Sequence, residues 1–216
     1  MHLFLVRHGE CLAQCDPAEG NNPDTALSYL GERQAQQAAV RLGAEAITNV
    51  LGSPLVRSLA TASQIAEAAG IGAVEVWPEL REGWQGTYQS HSQAELLLRF
   101  PLAVLPISMS EAGWSHASDD TYQALFARAA GVASRLRSSF GPADRIAIVS
   151  HGALSNYLLH ALLDISPATP HWFEMANGSI SHLRLVPDPQ AERPNWPLYP
   201  PVTCEVLSLN DRAHLV

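Results

Sequence analysis

The chain has 216 residues, of which 47% are hydrophobic, and its mean hydropathy is close to zero. This composition is ordinary for a globular protein and is sufficient for a sizeable buried core. The formal net charge of −8 at pH 7 and the pI near 5.5 argue against a nucleic-acid-binding surface, because such a surface needs an excess of clustered basic residues. All thirteen basic residues are arginine, a side chain that can bind phosphate through two parallel hydrogen bonds.

Cysteine usage and hydropathy bear on the cellular compartment. Cys11, Cys15 and Cys204 are an odd number without the spacing of a disulfide framework, which favours a reducing compartment. No uninterrupted apolar stretch is long enough to span a bilayer. The first residues resemble a strand rather than a signal peptide, because polar residues at positions 2, 7 and 8 interrupt them. We therefore expect a cytoplasmic protein with no membrane partner. The cysteine spacing also does not match a metal knuckle, so no bound metal is expected.

Hydrophobic periodicity predicts alternating strands and helices along most of the chain. The predicted strands cover residues 3–7, 47–51, 73–77, 145–150, 180–186 and 204–209. The predicted helices cover residues 28–42, 55–69, 121–140 and 153–163. Ser28 can cap the first of these helices, and Gly70 follows the second at the expected C-terminal stop. The alternation predicts a three-layer α/β/α fold with one predominantly parallel sheet and helices on both faces.

Residues 83–120 interrupt this alternation. The segment is rich in aromatic side chains and has one possible short helix at 93–99. Long irregular insertions in compact domains are often lids or binding loops. Because no linker or repeat divides the chain, we expect a single domain over residues 1–216 with a lid-like insertion at about 83–120. Its aromatic residues have two interpretations, a specificity wall or the small core of the lid itself; they are Trp84, Tyr88, Trp114 and His116.

Two predicted strands end in a histidine followed by glycine, at His8 and at His151. A single such histidine is usually a surface or core residue. The carboxyl ends of parallel strands share one edge, however, where open α/β sheets bind ligands. Arg7 precedes the first histidine. Arg57 falls in the first turn of a predicted helix, whose N-terminus is itself suited to anions. Glu82 follows a further strand. The pattern predicts that these side chains meet.

Two arginines, two histidines and one carboxylate suit phosphoryl transfer without a metal ion. Guanidinium groups and backbone amides can stabilise the charge on the transferring group. A neutral imidazole can attack phosphorus, and neighbouring arginines lower its pKa and so keep it a free base. The carboxyl group can protonate the departing alkoxide.

The sequence resembles the histidine phosphatase superfamily, also called the phosphoglycerate-mutase-like family. The matching segments occur in the order found in that family and span most of the chain. They are LVRHGE from Leu5, DTALS from Asp24, SPLVR from Ser53, LRE from Leu80 and VSHG from Val149. The resemblance also places the start of a strand at 177–180 near the pocket.

The resemblance implies a role for each residue of the predicted site. His8 would be the nucleophile that becomes phosphohistidine. Arg7, Arg57 and His151 would hold the phosphoryl oxygens, and His151 would share in catalysis. Glu82 would be the general acid that later activates water.

The substrate side of the pocket departs from the family pattern. Gln14 stands where the family usually has asparagine, and the loop at 15–24 lacks the arginine that many members carry there. The candidate substrate-binding residues are Gln14, Tyr88 and Trp84. Tyr88 follows Glu82 at the family spacing, which supports Glu82 over the rival carboxylate Glu79.

Three functions are compatible with these residues. We favour a metal-independent phosphatase that hydrolyses small phosphomonoesters through a phosphohistidine and needs no cofactor. A cofactor-dependent phosphoglycerate mutase would need additional basic residues in the lid to bind the substrate carboxylate, but Arg99 is the only arginine at 83–118. A non-catalytic phospholigand-binding protein would need neither the nucleophile His8 nor the proton donor Glu82. The expected partner is therefore a small phosphorylated metabolite.

Overall fold

The computed structural model of the protein describes residues 1–116, 120–192, 194 and 200–215. Its strands are β1 (His2–Arg7), β2 (Asn49–Gly52), β3 (Val74–Val76), β4 (Tyr88–Gln89), β5 (Ala103–Val104), β6 (Ser115–His116), β7 (Arg145–Ser150), β8 (Ile180–Leu185) and β9 (Cys204–Asp211). Its helices are α1 (Leu12–Cys15), α2 (Tyr29–Gly43), α3 (Val56–Ala69), α4 (Gln93–Arg99), α5 (Tyr122–Ser139), α6 (Gly152–Leu162) and α7 (Pro189–Glu192), with a 3₁₀ helix at Pro78–Leu80.

In the described part of the chain, seven strands form the central sheet in the order β5-β3-β2-β7-β1-β8-β9. Neighbours from β5 through β1 run parallel, whereas β8 is antiparallel to β1 and β9 is antiparallel to β8. The prediction of a predominantly parallel sheet is confirmed. Arg7 lies opposite Ser150 in the register of β1 and β7, so the residues after both strands leave the sheet at the same edge.

The sheet is covered on both faces, as the periodicity predicts. Alternate side chains of β1 enter two separate cores: Phe4 and Val6 face one, and Leu3 and Leu5 face the other. Helices α2, α3 and α4 contribute to the first core, and α5 and α6 contribute to the second. This arrangement confirms the three-layer α/β/α fold.

Several helix ends form where local chemistry predicts them. The Ser28 hydroxyl accepts the amide of Gly31 at 3.0 Å and caps α2. Gly70 ends α3 in the left-handed conformation, with φ of 69°, which glycine adopts without a steric penalty. Thr121 caps α5 by accepting the amide of Ala124 at 3.2 Å.

The described residues of segment 83–120 form more regular structure than their irregular sequence predicts. Near its two ends, the amide of Asp120 donates to the carbonyl oxygen of Trp84 at 2.9 Å, and the amide of Trp84 donates to Asp120 Oδ2 at 3.2 Å. Between these residues β4 pairs with β6, β5 joins the edge of the central sheet, and Leu96 and Phe100 pack in the first core. Two-residue strands have no readable periodicity, because their formation depends on their pairing partners.

Two short helices lie outside the predicted helices. Helix α1 ends at the start of the loop at 15–24. Helix α7 lies in the proline-rich stretch at 187–201, part of which is outside the described residues. Within the ranges that the structure describes, no helix is long and apolar enough to cross a membrane.

Candidate active site

His8 and His151 meet at the carboxyl edge of the sheet, as predicted from the ends of β1 and β7. Their ring centroids are 4.9 Å apart, and the residues are 4% and 0% exposed. The amide of His8 donates to the carbonyl oxygen of Ser150 at 3.1 Å, which extends the pairing of the two strands by one residue. Nε2 of His151 lies 2.7 Å from the hydroxyl oxygen of Ser53, just after β2.

The His8 ring is oriented by its own backbone. Nδ1 lies 2.6 Å from the carbonyl oxygen of Gly9, which can only accept, so Nδ1 carries the proton and Nε2 keeps its lone pair. Arg57 Nε donates to that Nε2 at 3.1 Å. Burial, followed by the positive charges of Arg57 and then Arg7, holds the pKa of His8 well below its usual range. His8 is therefore a neutral imidazole with a free base nitrogen, which is the form needed for nucleophilic attack.

Arg57 sits in the first turn of α3, as predicted, and is 8% exposed. Its Nη1 donates to the carbonyl oxygen of Pro23 at 2.8 Å. The same loop supplies Asp24, whose Oδ1 accepts the amide of Val56 at 2.7 Å and whose Oδ2 accepts the Ser90 hydroxyl at 2.7 Å. Asp24 thus joins the start of α3 to the segment 83–120 and holds Arg57 beside His8.

Arg7 is the second guanidinium at this edge. Its Nη1 donates to the carbonyl oxygen of Met175 at 2.6 Å, and its Nε has no partner in the described part of the protein. Burial lowers the pKa of Arg7, and the negative charge of Glu82 opposes this effect. A Cβ atom placed on Gly152 would lie 3.7 Å from Arg7 Cζ, so the guanidinium lies beside the first turn of α6. The charged guanidinium and the N-terminus of α6 both favour an anion at this point.

Glu82 is held at the N-terminus of α6. Its Oε1 accepts the amides of Gly83 at 3.0 Å and Leu154 at 3.1 Å, and its Oε2 accepts the amide of Ala153 at 3.0 Å. Glu79, the rival carboxylate, instead forms an ion pair with Arg135 at 3.6 Å, and its side chain is 49% exposed. Glu82 thus lies at the start of the helix that follows His151, whereas Glu79 lies half-exposed beside Arg135.

Gln14 is exposed and is linked to the backbone of His8 through Asn177. Its amide group pairs reciprocally with that of Asn177, with both N···O distances at 3.1 Å. Asn177 Nδ2 also donates to the carbonyl oxygen of His8 at 3.1 Å, and the amide of Gly178 donates to the same oxygen at 3.2 Å. The segment that starts β8 therefore supports the backbone of the proposed nucleophile.

The aromatic side chains of segment 83–120 form one cluster. The Tyr88 ring lies 5.5 Å from Trp114, 5.9 Å from His116 and 6.1 Å from Trp84, measured between centroids. The Arg81 guanidinium lies over the Trp114 ring at 4.6 Å. Burial, reinforced by the nearby Asp24 carboxylate, raises the pKa of the Tyr88 phenol, which therefore stays neutral. The structure thus brings Trp84 and Tyr88 together with the other two aromatic residues.

A cavity of about 390 Å³ adjoins Glu82. It is lined by Gly83, Trp84, Gln85, Asp120, Leu125 and Ala153. Gly83 and Ala153 also donate their amides to the Glu82 carboxylate, so the cavity lies directly beside it. At its edge Arg128 pairs with Asp120 at 3.3 Å. Burial, followed by repulsion from Arg81, lowers the pKa of Arg128 to about 10.

Sequence reasoning missed the parts played by Ser53 and Arg128, although both had a signal. Ser53 comes directly after a strand at the same sheet edge, which is the rule that identified His8. Arg128 lies three residues after Leu125 on the buried stripe of α5, where an arginine needs a partner. The role of Asp24 depends on contacts with distant segments and had no local signal.

Comparison with known proteins agrees with this geometry. Residues 3–195 match the family model of the histidine phosphatase superfamily (branch 1). Glucosyl-3-phosphoglycerate phosphatase of Mycobacterium tuberculosis is 30% identical over 189 residues, which cover 84% of each chain. Probable phosphoglycerate mutase GpmB of Yersinia enterocolitica is 29% identical over 184 residues, covering 85% of this chain and 84% of the relative.

Solved structures give the same result. The mycobacterial glucosyl-3-phosphoglycerate phosphatase superposes with a TM-score of 0.62 at 28% identity, covering 84% of this chain and 89% of the other. The alpha-ribazole phosphatase of Shigella flexneri has the same fold, with a TM-score of 0.69 at 23% identity over 98% and 96% of the two chains. The chain belongs to the histidine phosphatase superfamily, branch 1, as its motifs predict.

Proposed function

We propose that the protein is a phosphatase that hydrolyses small phosphomonoesters through a phosphohistidine formed on His8. The observation that carries this proposal is the state of the His8 ring, which is neutral, has its proton on Nδ1 and has Nε2 beside the Arg57 guanidinium. A ring in this state can attack phosphorus without first losing a proton.

The first half of the reaction transfers the phosphoryl group to His8. Arg7, Arg57 and His151 hold its non-bridging oxygens. His8 Nε2 forms a bond to phosphorus as the bond to the substrate oxygen breaks, and Glu82 gives a proton to the departing alkoxide. Positive charge comes from the two guanidinium groups, so the proposed reaction needs no metal ion.

In the second half, Glu82 takes a proton from a water molecule as that water attacks the phosphorus of phospho-His8. The N–P bond breaks, inorganic phosphate leaves, and the free imidazole is restored. Glu82 ends this step protonated and ready for the next substrate, so one carboxyl group serves both halves of the cycle.

A phosphatase is favoured over a mutase because the loop at 15–24 contains no arginine and Arg99 is the only arginine at 83–118. Arg81 and Arg128 lie nearer the site, but Arg81 lies over Trp114 and Arg128 pairs with Asp120. The similarity to a glucosyl-3-phosphoglycerate phosphatase supports a phosphorylated metabolite as the substrate.

Three further assignments belong to this proposal: a lid with an aromatic wall, a substrate contact and a cellular location. The segment 83–120 acts as a lid on the single domain, and its aromatic cluster, with Trp84 and Tyr88, forms a wall that contacts the substrate beyond its phosphate. Gln14 contacts the substrate at the mouth of the pocket. The three cysteines are free thiols, which supports a reducing, cytoplasmic location.

The test is detection of the covalent intermediate. Wild-type protein mixed with radiolabelled phosphomonoester and quenched in alkali should retain label that is stable in alkali and lost in acid. His8→Ala should retain none and should not release phosphate. His171→Ala, at an exposed histidine, serves as the matched control and should behave like wild type. Turnover by the His8→Ala protein would refute the proposal.

A further inference from the structure

We infer that Ser53 is a positioning residue that fixes the tautomer of His151, so that the proton on His151 Nδ1 is presented to the transferring phosphoryl group. The inference rests on the proposed function for the identity of that group. The placement of the proton itself rests on hydrogen bonding alone.

The hydroxyl of Ser53 has a restricted choice of partners. Ser53 is 0% exposed, so water does not reach its side chain. Its Oγ accepts the amide of Leu55 at 3.3 Å and lies 2.7 Å from Nε2 of His151. In the described part of the chain, these are the hydrogen bonds of that oxygen.

Only one assignment of protons leaves this hydroxyl satisfied. If His151 donated from Nε2, the oxygen would accept twice and its own buried proton would be unpaired, which is costly. If Ser53 donates to Nε2 instead, every polar atom at Oγ is paired, and the one unpaired group left is His151 Nδ1, rather than both Nδ1 and the Ser53 proton. The imidazole must then carry its proton on Nδ1, because a neutral ring has one donor and one acceptor nitrogen.

The ring of His151 is neutral, so only one of its two nitrogens carries a proton. Complete burial, followed by the charges of Arg57, His8 and Arg7, lowers the pKa of His151 well below its usual range. Nδ1 is buried and has no partner among the residues that the structure describes. Because Nε2 is occupied by Ser53, Nδ1 is the ring nitrogen left for a phosphoryl group, and the ring lies next to His8 with its centroid 4.9 Å away.

The two tautomers differ in what they offer an anion. With the proton on Nδ1, His151 donates a hydrogen bond to a phosphoryl oxygen, and this bond strengthens as charge develops. With the proton on Nε2, the lone pair of Nδ1 would face that oxygen and repel it. Ser53 therefore acts on the phosphoryl group only through His151.

The same proton placement arises in His8 by the opposite contact. There an acceptor, the carbonyl oxygen of Gly9, holds the proton on Nδ1 at 2.6 Å. In His151 a donor, the Ser53 hydroxyl, occupies Nε2. Both rings are neutral and protonated on Nδ1, yet one exposes a lone pair as nucleophile and the other exposes a proton as donor.

Nitrogen-15 NMR of the histidine rings tests the inference directly. In wild type labelled at its histidines, two-bond ¹H–¹⁵N correlations should show His151 protonated on Nδ1 and unprotonated on Nε2. The His151→Gln variant assigns the signals by their disappearance. Titration with inorganic phosphate should shift the Nδ1 proton of His151, and this readout requires no turnover.

Ser53→Ala removes the donor. The His151 ring should then populate the Nε2-protonated tautomer, and kcat should fall by about 10-fold to 10²-fold, below the ~10⁴-fold cost of a wrong tautomer in a buried charged triad. KM should change much less than kcat. The matched control is Ser181→Ala, because Ser181 is similarly buried at 1% exposure but its hydroxyl accepts the amide of Asn210 at 3.0 Å, and in the described part of the chain it makes no hydrogen bond to Ser53 or to either histidine. That variant should keep the wild-type tautomer and kcat.

Three results would overturn the inference. A His151 ring protonated on Nε2 in wild type would do so, even if Ser53→Ala did not fold. An unchanged tautomer in folded Ser53→Ala would show that Ser53 does not fix the tautomer of His151. A changed tautomer with unchanged kcat would show that the tautomer does not matter for the reaction. Failure of wild type to turn over any phosphomonoester would refute the proposed function instead, while the ring spectra and the phosphate titration would still decide the inference.

Discussion

Arg57 Nε lies 3.1 Å from His8 Nε2 and donates to its lone pair, which attacks phosphorus in the proposed reaction. A phosphoryl group must approach along that same direction. Binding of substrate therefore exchanges the imidazole nitrogen for phosphoryl oxygens as the partner of Arg57. A guanidinium bonds more strongly to an anion than to a neutral ring, so this exchange is favourable.

Arg57→Lys tests that exchange. Lysine keeps the charge but lacks the planar fork that can bind two phosphoryl oxygens at once, so kcat/KM should fall about 10²-fold. Arg41→Lys is the control, because Arg41 pairs with Glu45 on the surface and its side chain is 43% exposed. Equal kcat/KM values for Arg57→Lys and wild type would show that point charge alone suffices.

Glu82→Gln should impair poor leaving groups far more than good ones. An alkoxide needs a proton and a nitrophenolate hardly does, so hydrolysis of an alkyl phosphate should slow by about 10²–10⁴-fold while p-nitrophenyl phosphate is affected much less. Initial rates on both substrates provide the measurement. Glu79→Gln, at the half-exposed partner of Arg135, should leave both rates unchanged. Equal losses on the two substrates would move the proton-donor role away from Glu82.

Activity should survive chelation, because Arg7 and Arg57 supply the positive charge. The expected result is the same rate of phosphate release with and without EDTA. Vanadate should inhibit, because its trigonal-bipyramidal form mimics the transferring phosphoryl group. Loss of activity in EDTA that magnesium or zinc restores would contradict the metal-independent assignment.

The loss of kcat/KM at acid pH should occur below the pH range in which an ordinary histidine titrates. The pKa of His8 is lowered, so its lone pair stays available as pH falls through 6.5, and kcat/KM should decline only at lower pH. Rates on p-nitrophenyl phosphate as a function of pH provide the measurement, after correction for ionisation of the substrate. A limb centred at or above pH 6.5 would contradict the environment described for His8.

The same shifts affect stability in a defined direction. The folded pKa values of His8 and His151 lie below that of an unfolded histidine, so the unfolded chain binds more protons once pH falls below about 6.5. The free energy of unfolding is therefore fully retained above that pH and decreases below it. Each histidine contributes a slope of about 1.4 kcal/mol per pH unit in that window. Urea unfolding at a series of pH values measures the slope.

Phospho-His8 should lose its phosphate to water. Supplied with 3-phosphoglycerate and catalytic 2,3-bisphosphoglycerate, the enzyme should release inorganic phosphate and form 2-phosphoglycerate slowly or not at all. Both products are followed over time. Isomerisation much faster than phosphate release would refute the phosphatase assignment, and Arg81 and Arg128 would then be the first residues to test as carboxylate ligands.

Sequence alone predicted the features that depend on local chemistry. The strand that delivers His8, the start of α3 near Arg57 and the stop at Gly70 follow from periodicity, helix-terminus chemistry and the conformational freedom of glycine. The sharing of one edge by His8 and His151 follows from the parallel arrangement that alternating elements impose.

Contacts between distant segments could not be predicted in this way. Ser53 and His151 are 98 positions apart; their places after parallel strands put both at one sheet edge, but the sequence does not indicate that they form a hydrogen bond. The pairing of β4 with β6 brings Tyr88 opposite His116, but neither two-residue strand has a pattern of its own. Such features exist only once the tertiary fold has formed.

The hydrogen bonds that join Trp84 and Asp120 have a consequence for how this enzyme can diversify. These residues are 36 positions apart, yet their backbones are linked directly, and Glu82 lies just before the linked pair. The cost of closing a loop grows only slowly with its length. Chain inserted into, or deleted from, the segment between these residues is therefore expected to leave Glu82, the proposed proton donor, in place. New substrate preferences can therefore evolve through changes in that segment alone, while the residues proposed to carry out the reaction stay unchanged.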